Sequence, residues 1–223
     1  MPGDTTSETS KRVSTTQRRA YASELSKALK GAAKASGWKA AQGLLFKEAG
    51  PWFVTCWLET SLLSAQTQIR LSVKPMAIDP IFWDIFDLRE NHDESPSFRA
   101  LGAWTCPSLD IADVSVPEQP SATVTASDAL RIAAEQLEAA PLRSLSWFEG
   151  ECRKALDDQP ALLASLITTL IADNRKAQAL DLCLQAEASG ETGGFVSRQV
   201  SFVQAAARWL NRSMTDQAPH ANT

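Results

Sequence analysis

From Gln17 onward the apolar residues recur at helical spacing. Tyr21, Leu25, Leu29 and Ala32 predict an amphipathic helix, which Gly37 ends in a left-handed cap while Trp38 folds back onto the last turn. The period then drops to two. Leu44 and Phe46 begin a strand that stops at the Gly50-Pro51 turn. Trp52 to Thr60 is a second strand with large apolar groups on both faces, Trp52, Val54, Cys56 and Leu58 against Phe53 and Trp57, so it is expected at the centre of a sheet. Residues 66–74 alternate cleanly. Thr67, Ile69, Leu71 and Val73 face a core, whereas Gln66, Gln68, Arg70, Ser72 and Lys74 face water or a partner. Phe98 to Thr105 and Leu109 to Val116 read as two further strands separated by Pro107.

Between the strands lies the segment KPMAIDPIFWDIFDLRENHDE, Lys74 to Glu94. Asp79 supplies an N-cap acceptor and Pro80 a preset φ, so a helix is expected over 78–90. On a helical projection Ile81, Phe82, Ile85, Phe86 and Leu88 share one side, and Trp83, Asp84, Asp87 and Glu90 share the other. An indole among acids has two readings. Either Trp83 tucks beneath the loop from Asn91 to Ser97 and the acids are a solvated face, or Trp83 is an aromatic anchor within an acidic rim of Asp84, Asp87, Glu90, Asp93 and Glu94.

Beyond Val116 the pattern is helical. Ser127 caps one helix that Pro141 interrupts, a second runs from Leu142 to Asp157, and Pro160 opens a third. Asp173-Asn174 turns the chain. A fourth helix carries Ala177, Leu180, Leu184 and Ala188 to Gly190, and Phe195, Val200, Phe202, Val203, Ala206 and Leu210 mark a fifth. Turns this short require antiparallel hairpins. The pair from Pro160 to Gly190 has the dimensions of a tetratricopeptide-like unit, but no second copy aligns.

The expected class is therefore α+β: an N-terminal helix and a mostly antiparallel sheet with a helix between strands, then an all-α helical-hairpin region. The divisions read as a disordered tail over 1–16, an α+β domain over 17–116, a Pro/Ser/Thr linker over 117–125, a helical region over 126–212 and a second disordered tail over 213–223.

A net charge of −4 on 223 residues argues against general affinity for nucleic acid or anionic membrane. The N-terminal excess of Lys11, Arg12, Arg18, Arg19, Lys27, Lys30, Lys34, Lys39 and Lys47 over Asp4, Glu8, Glu24 and Glu48 is read as a basic tail and a solvated helix face. Cys56, Cys106, Cys152 and Cys183 are widely separated within apolar stretches, so free buried thiols in a reducing cytoplasm are expected. No stretch is long enough to span a bilayer, and the N-terminal residues lack the apolar run of a signal peptide.

Reactive groups are few. His220 lies in a polar tail and His92 in a polar turn, and neither GxxxxGK[ST] nor a strand-borne GxGxxG occurs. Asp84, Asp87 and His92 have the spacing for a divalent-cation site, which defines the enzymatic alternative, a metal-dependent hydrolase. Acids at this spacing are also common on solvated helices, and no cofactor is expected. Among the seven tryptophans, Trp52, Trp57 and Trp104 fit core packing better than a base-stacking platform, since only Arg70 and Arg99 accompany them. Asp110 and Asp113 are expected to face solvent and guard a sheet edge.

The helix ending in Gly37-Trp38, the stretch LLFKEAGPWFVTCWLE and the alternating TQIRLSVKP together resemble the bacterial proteins grouped as domain of unknown function 4304, over residues 20–116. The resemblance implies a small α+β domain and no established reaction; the helical extension departs from it. The expectation is a non-enzymatic protein-protein interaction module, by class analogy immunity- or antitoxin-like, that meets a basic partner at Trp83 and its acidic rim. A helical-repeat scaffold is the remaining alternative.

Overall fold

The computed structural model describes residues 14–61, 66–139 and 144–215. Helix α1 spans Thr15–Ala35 and starts from a capping box: Ser14 Oγ accepts from Gln17 N–H at 3.2 Å, and Gln17 Oε1 accepts from Ser14 N–H at 2.9 Å. It therefore begins inside the stretch expected to be a tail, while residues 1–13 lie outside the described ones. Gly37, at φ 72°, ends it, and Trp38 N–H returns to Ala33 O at 2.9 Å. Arg18 is not a solvated charge. It is buried and bonds Glu118 and the Ser61 carbonyl, tying α1 to the end of the sheet.

The strands β1 (Lys39–Ala41), β2 (Leu44–Ala49), β3 (Trp52–Thr60), β4 (Gln66–Pro75) and β5 (Leu109–Pro117) form one antiparallel sheet in that order, with β3 at its centre. Three-residue β1 is too short to show alternation and was not expected. Thr67, Ile69, Leu71 and Val73 are buried as their spacing predicts, and Leu71 pairs with Cys56 on one side and Ala112 on the other. Lys74 departs from the pattern, being fully buried at a position expected to face water.

Helix α2 spans Ile78–Phe86, shorter than expected, because Asp87 adopts φ 57° and Leu88 N–H closes onto Trp83 O at 2.8 Å. A 3₁₀ turn follows at Arg89–Asp93. Phe98 to Thr105 is not a strand. Phe98–Leu101 forms one helical turn, α3, with Gly102 N–H on Phe98 O at 2.7 Å, after which the chain loops through Trp104. Its apolar residues serve α2 instead of a strand neighbour.

The linker is shorter than expected: β5 runs to Pro117 and α4 occupies Ala122–Ala139, so Ser127 lies within α4, its hydroxyl on Thr123 O, and does not cap it. Pro141 lies outside the described residues. Then come α5 (Leu145–Ala155, capped by Ser144), α6 (Leu162–Ala172), α7 (Lys176–Ala188), the hairpin β6 (Val196–Ser197) and β7 (Val200–Ser201), and α8 (Phe202–Thr215), which extends into the region expected to be a second tail. Residues 216–223 are outside the described ones. Helix α7 buries Ala179, Cys183 and Ala186 and leaves Ala177, Leu184 and Ala188 exposed, a different face from the expected one. Small residues on the buried side let α6 and α8 approach its backbone closely.

One core runs through sheet and helices. Phe82 stacks on Phe202 at 5.2 Å, and Trp52 meets Trp147 edge-on at 5.8 Å.

Candidate functional site

The ground beneath the acidic segment is a sealed polar cluster. Asp79 does not act as an N-cap: Ala77 holds that position, and the Asp79 carboxylate is buried. Oδ1 accepts from Lys74 Nζ and from Cys106 N–H, each at 2.9 Å, and Oδ2 accepts from Arg99 at 3.0 Å. Lys74 spends its other two donors on Arg99 O at 2.9 Å and Cys106 O at 3.0 Å. All three ammonium hydrogens thus have acceptors, so the cluster fastens β4, α2 and the loop after α3 together.

Trp83 belongs to this scaffold. It is 2% exposed, and its indole N–H donates to Trp104 O at 2.7 Å. Arg99 lies 5.2 Å from the ring centre, His92 meets the ring edge-on at 5.5 Å, and Phe98 sits at 6.0 Å. The anchor role expected for Trp83 is therefore corrected: an indole needs apolar cover and an acceptor, and the turn after α2 with the α3 loop supplies both.

The acids remain at the surface. Asp87, Glu90, Asp93 and Glu94 are exposed and Asp84 is half-exposed. Asp84 Oδ1 shares a hydrogen bond with His92 Nε2 at 3.2 Å, and Asp87 lies 3.6 Å from Arg89. Across from them α8 brings in a different indole. Trp209, half-buried, lines a groove with Asp84, Asp87, Arg89 and Arg212, and an adjoining hollow sets His92 beside Asp84, Arg89 and the same indole. Glu90 and Asp93 stand on the 3₁₀ turn and Glu94 just past its end, all outside the groove lining. Trp209 escaped sequence reasoning because it lies over a hundred residues from the acids. The available signal was its place beside, and not within, the apolar stripe of Phe202, Val203, Ala206 and Leu210.

The remaining chemistry is quiet. All four thiols are buried and free, and desolvation pushes Cys56, Cys152 and Cys183 up to about 12; burial drives Cys106 higher still. Among the described residues no three His, Cys, Asp or Glu side chains converge as metal ligands: His92 joins Asp84, while Asp87 turns to Arg89. Trp52 is buried and Trp104 packs on Phe86 at 5.4 Å, as expected of core residues, whereas Trp57, expected to pack in the core with them, is 46% exposed on the sheet. No described helix is long and apolar enough to cross a membrane.

The fold and this groove define an α+β protein with a helical extension and a surface that mixes an indole with charges of both signs, Lys176 Nζ lying 5.9 Å from the Trp209 ring centre. No protein-family model, curated protein or solved structure matches the chain.

Proposed function

We propose that this protein acts by binding a basic protein partner, without chemistry on it, through the surface where Trp209 meets Asp84 and Asp87. Glu90, Asp93 and Glu94 extend the negative rim, and Trp83 holds that rim in place from below. The observation that carries the reading is the meeting of a half-exposed indole from α8 with the carboxylates of Asp84 in α2 and Asp87 just beyond it in one groove. A partly desolvated aromatic supplies contact area, and surrounding carboxylates raise the association rate for a cationic surface and disfavour acidic ones. Arg89 and Arg212 give the groove polarity, so a partner with one acid among its basic groups fits best.

Within this reading the protein works in the cytoplasm, in the manner of an immunity or antitoxin-like protein, and the resemblance over residues 20–116 is part of the same proposal. The test is comparative affinity capture from bacterial lysate with the wild-type chain, Trp209→Ala and Asp84→Lys/Asp87→Lys. A prey of basic isoelectric point retained by wild type and lost by both variants, with circular dichroism unchanged, supports it. A prey retained equally by all three contradicts it.

The scaffold reading has one observation of its own. Helix α7 exposes Leu184, 51% accessible, between Ala177 and Ala188, a stripe against which a partner helix can lie.

A further inference from the structure

We propose that the outer edge of β5 is a second docking surface, one that takes an extended segment of alternating basic and apolar residues as a sixth strand. This inference uses a different face from the α2–α8 groove and does not depend on it. Strand β5 is nine residues long and ends the sheet; among the described residues its backbone hydrogen-bonds to β4 alone. A strand edge of that length, with no main-chain partner among the described residues, is a template for another strand.

The register tells which strand. On the open face β4 sets Arg70 opposite Asp113 and Ser72 opposite Asp110, with Arg70 3.6 Å from Asp113 and 3.8 Å from Asp110, and Ser72 Oγ 2.6 Å from Asp110. These carboxylates keep 47% and 34% of their side-chain surface exposed, so each can take a second cation from the outer side. Lysine or arginine on an added strand would repeat on the free edge what Arg70 does on the paired one. On the other face Ala112 and Val114, opposite Leu71 and Ile69, are only half-buried and want apolar neighbours.

At the start of β5 the register slips, and the extra residue, Ile111, lines a hollow of about 560 Å³ with Trp147 and Ala155. Asp110, Glu151 and Asp158 border it, against Lys154, which is held by Glu151 at 2.7 Å. An apolar side chain entering there would have acids around its backbone. A second copy of this chain fits less well, because antiparallel pairing about the middle of β5 would set Asp113 against Asp113.

The test uses the full-length protein and a fluorescent synthetic peptide of alternating lysine and valine long enough to span β5. Its controls are a peptide of the same composition with lysines and valines in separate blocks, and an alternating glutamate-valine peptide. We expect saturable binding of the first alone, with slowed amide exchange in β5 and little change in β1. Asp113→Lys should weaken it about tenfold, one attractive cross-strand pair being replaced by a repulsive one, and should admit the glutamate peptide. Amide exchange on the wild-type chain needs no variant to fold. Equal binding of the block peptide, absence of β5 protection, transfer of the effect to Asp87→Lys, or a dimer paired through β5 without peptide would each overturn the proposal.

Discussion

Lys74 and Asp79 form an ion pair at 2.9 Å in which both side chains are sealed from water, five residues apart across the junction of β4 and α2. Their roles are unequal. Each makes three hydrogen bonds, Asp79 accepting from Lys74, Arg99 and Cys106 N–H and Lys74 donating to Asp79, Arg99 O and Cys106 O, but among the described residues Asp79 has two opposite charges in reach and Lys74 has one. Removing the carboxylate therefore strands a buried ammonium and a buried amide. Asp79→Ala is expected to cost about 3–5 kcal/mol in urea unfolding, and Lys74→Met less, since Arg99 still neutralises Asp79 and the loss is confined to two neutral acceptors, Arg99 O and Cys106 O. The reverse order would show that the lysine is the organising charge.

The two indoles near the acids should separate stability from binding. Trp83→Ala is expected to lose about 3–5 kcal/mol in thermal or urea unfolding, and Trp83→Phe about 1 kcal/mol beyond its packing change, through the lost hydrogen bond to Trp104 O. Trp209→Ala should cost less than half as much as Trp83→Ala while weakening partner capture. Equal stability losses at the two positions would remove the distinction.

The buried thiols predict an alkaline limit. With ordinary thiol values near 9.0 raised to about 12 for Cys56, Cys152 and Cys183, the unfolded chain releases protons first as pH rises. Between those values the folded state binds more protons than the unfolded one, so stability falls with increasing pH. Below pH 9 this contribution is fully present. Denaturation curves from pH 8 to 11 should show the decline, flattened in Cys56→Ala/Cys152→Ala/Cys183→Ala, and iodoacetamide should label the native protein only after denaturant is added. Rapid labelling of native protein at pH 8 would contradict the burial.

Much of the fold was legible where one face of an element meets water. The alternation over residues 66–74 and the spacing of Leu25 and Leu29 placed β4 and α1, and the doubly apolar Trp52–Thr60 placed the central strand. Where side chains serve distant partners the pattern misled. Phe98 and Trp104 look like strand residues but cover Trp83 and Phe86, and Lys74 sits at a solvent-facing position yet points into a cluster assembled from Asp79, Arg99 and Cys106. The acidic half of the candidate site was visible in the sequence between Asp84 and Glu94. Its aromatic half was not, because only the packing of α8 against α2 brings Trp209 there.

The most direct test is the footprint of the captured basic partner on the intact protein, mapped by amide exchange together with the mass of both chains. Our account predicts protection over residues 84–94 and around Trp209, weakened by added salt, with the partner's mass unchanged. Protection confined to the α6–α7 hairpin, or a partner cleaved or modified on contact, would contradict it.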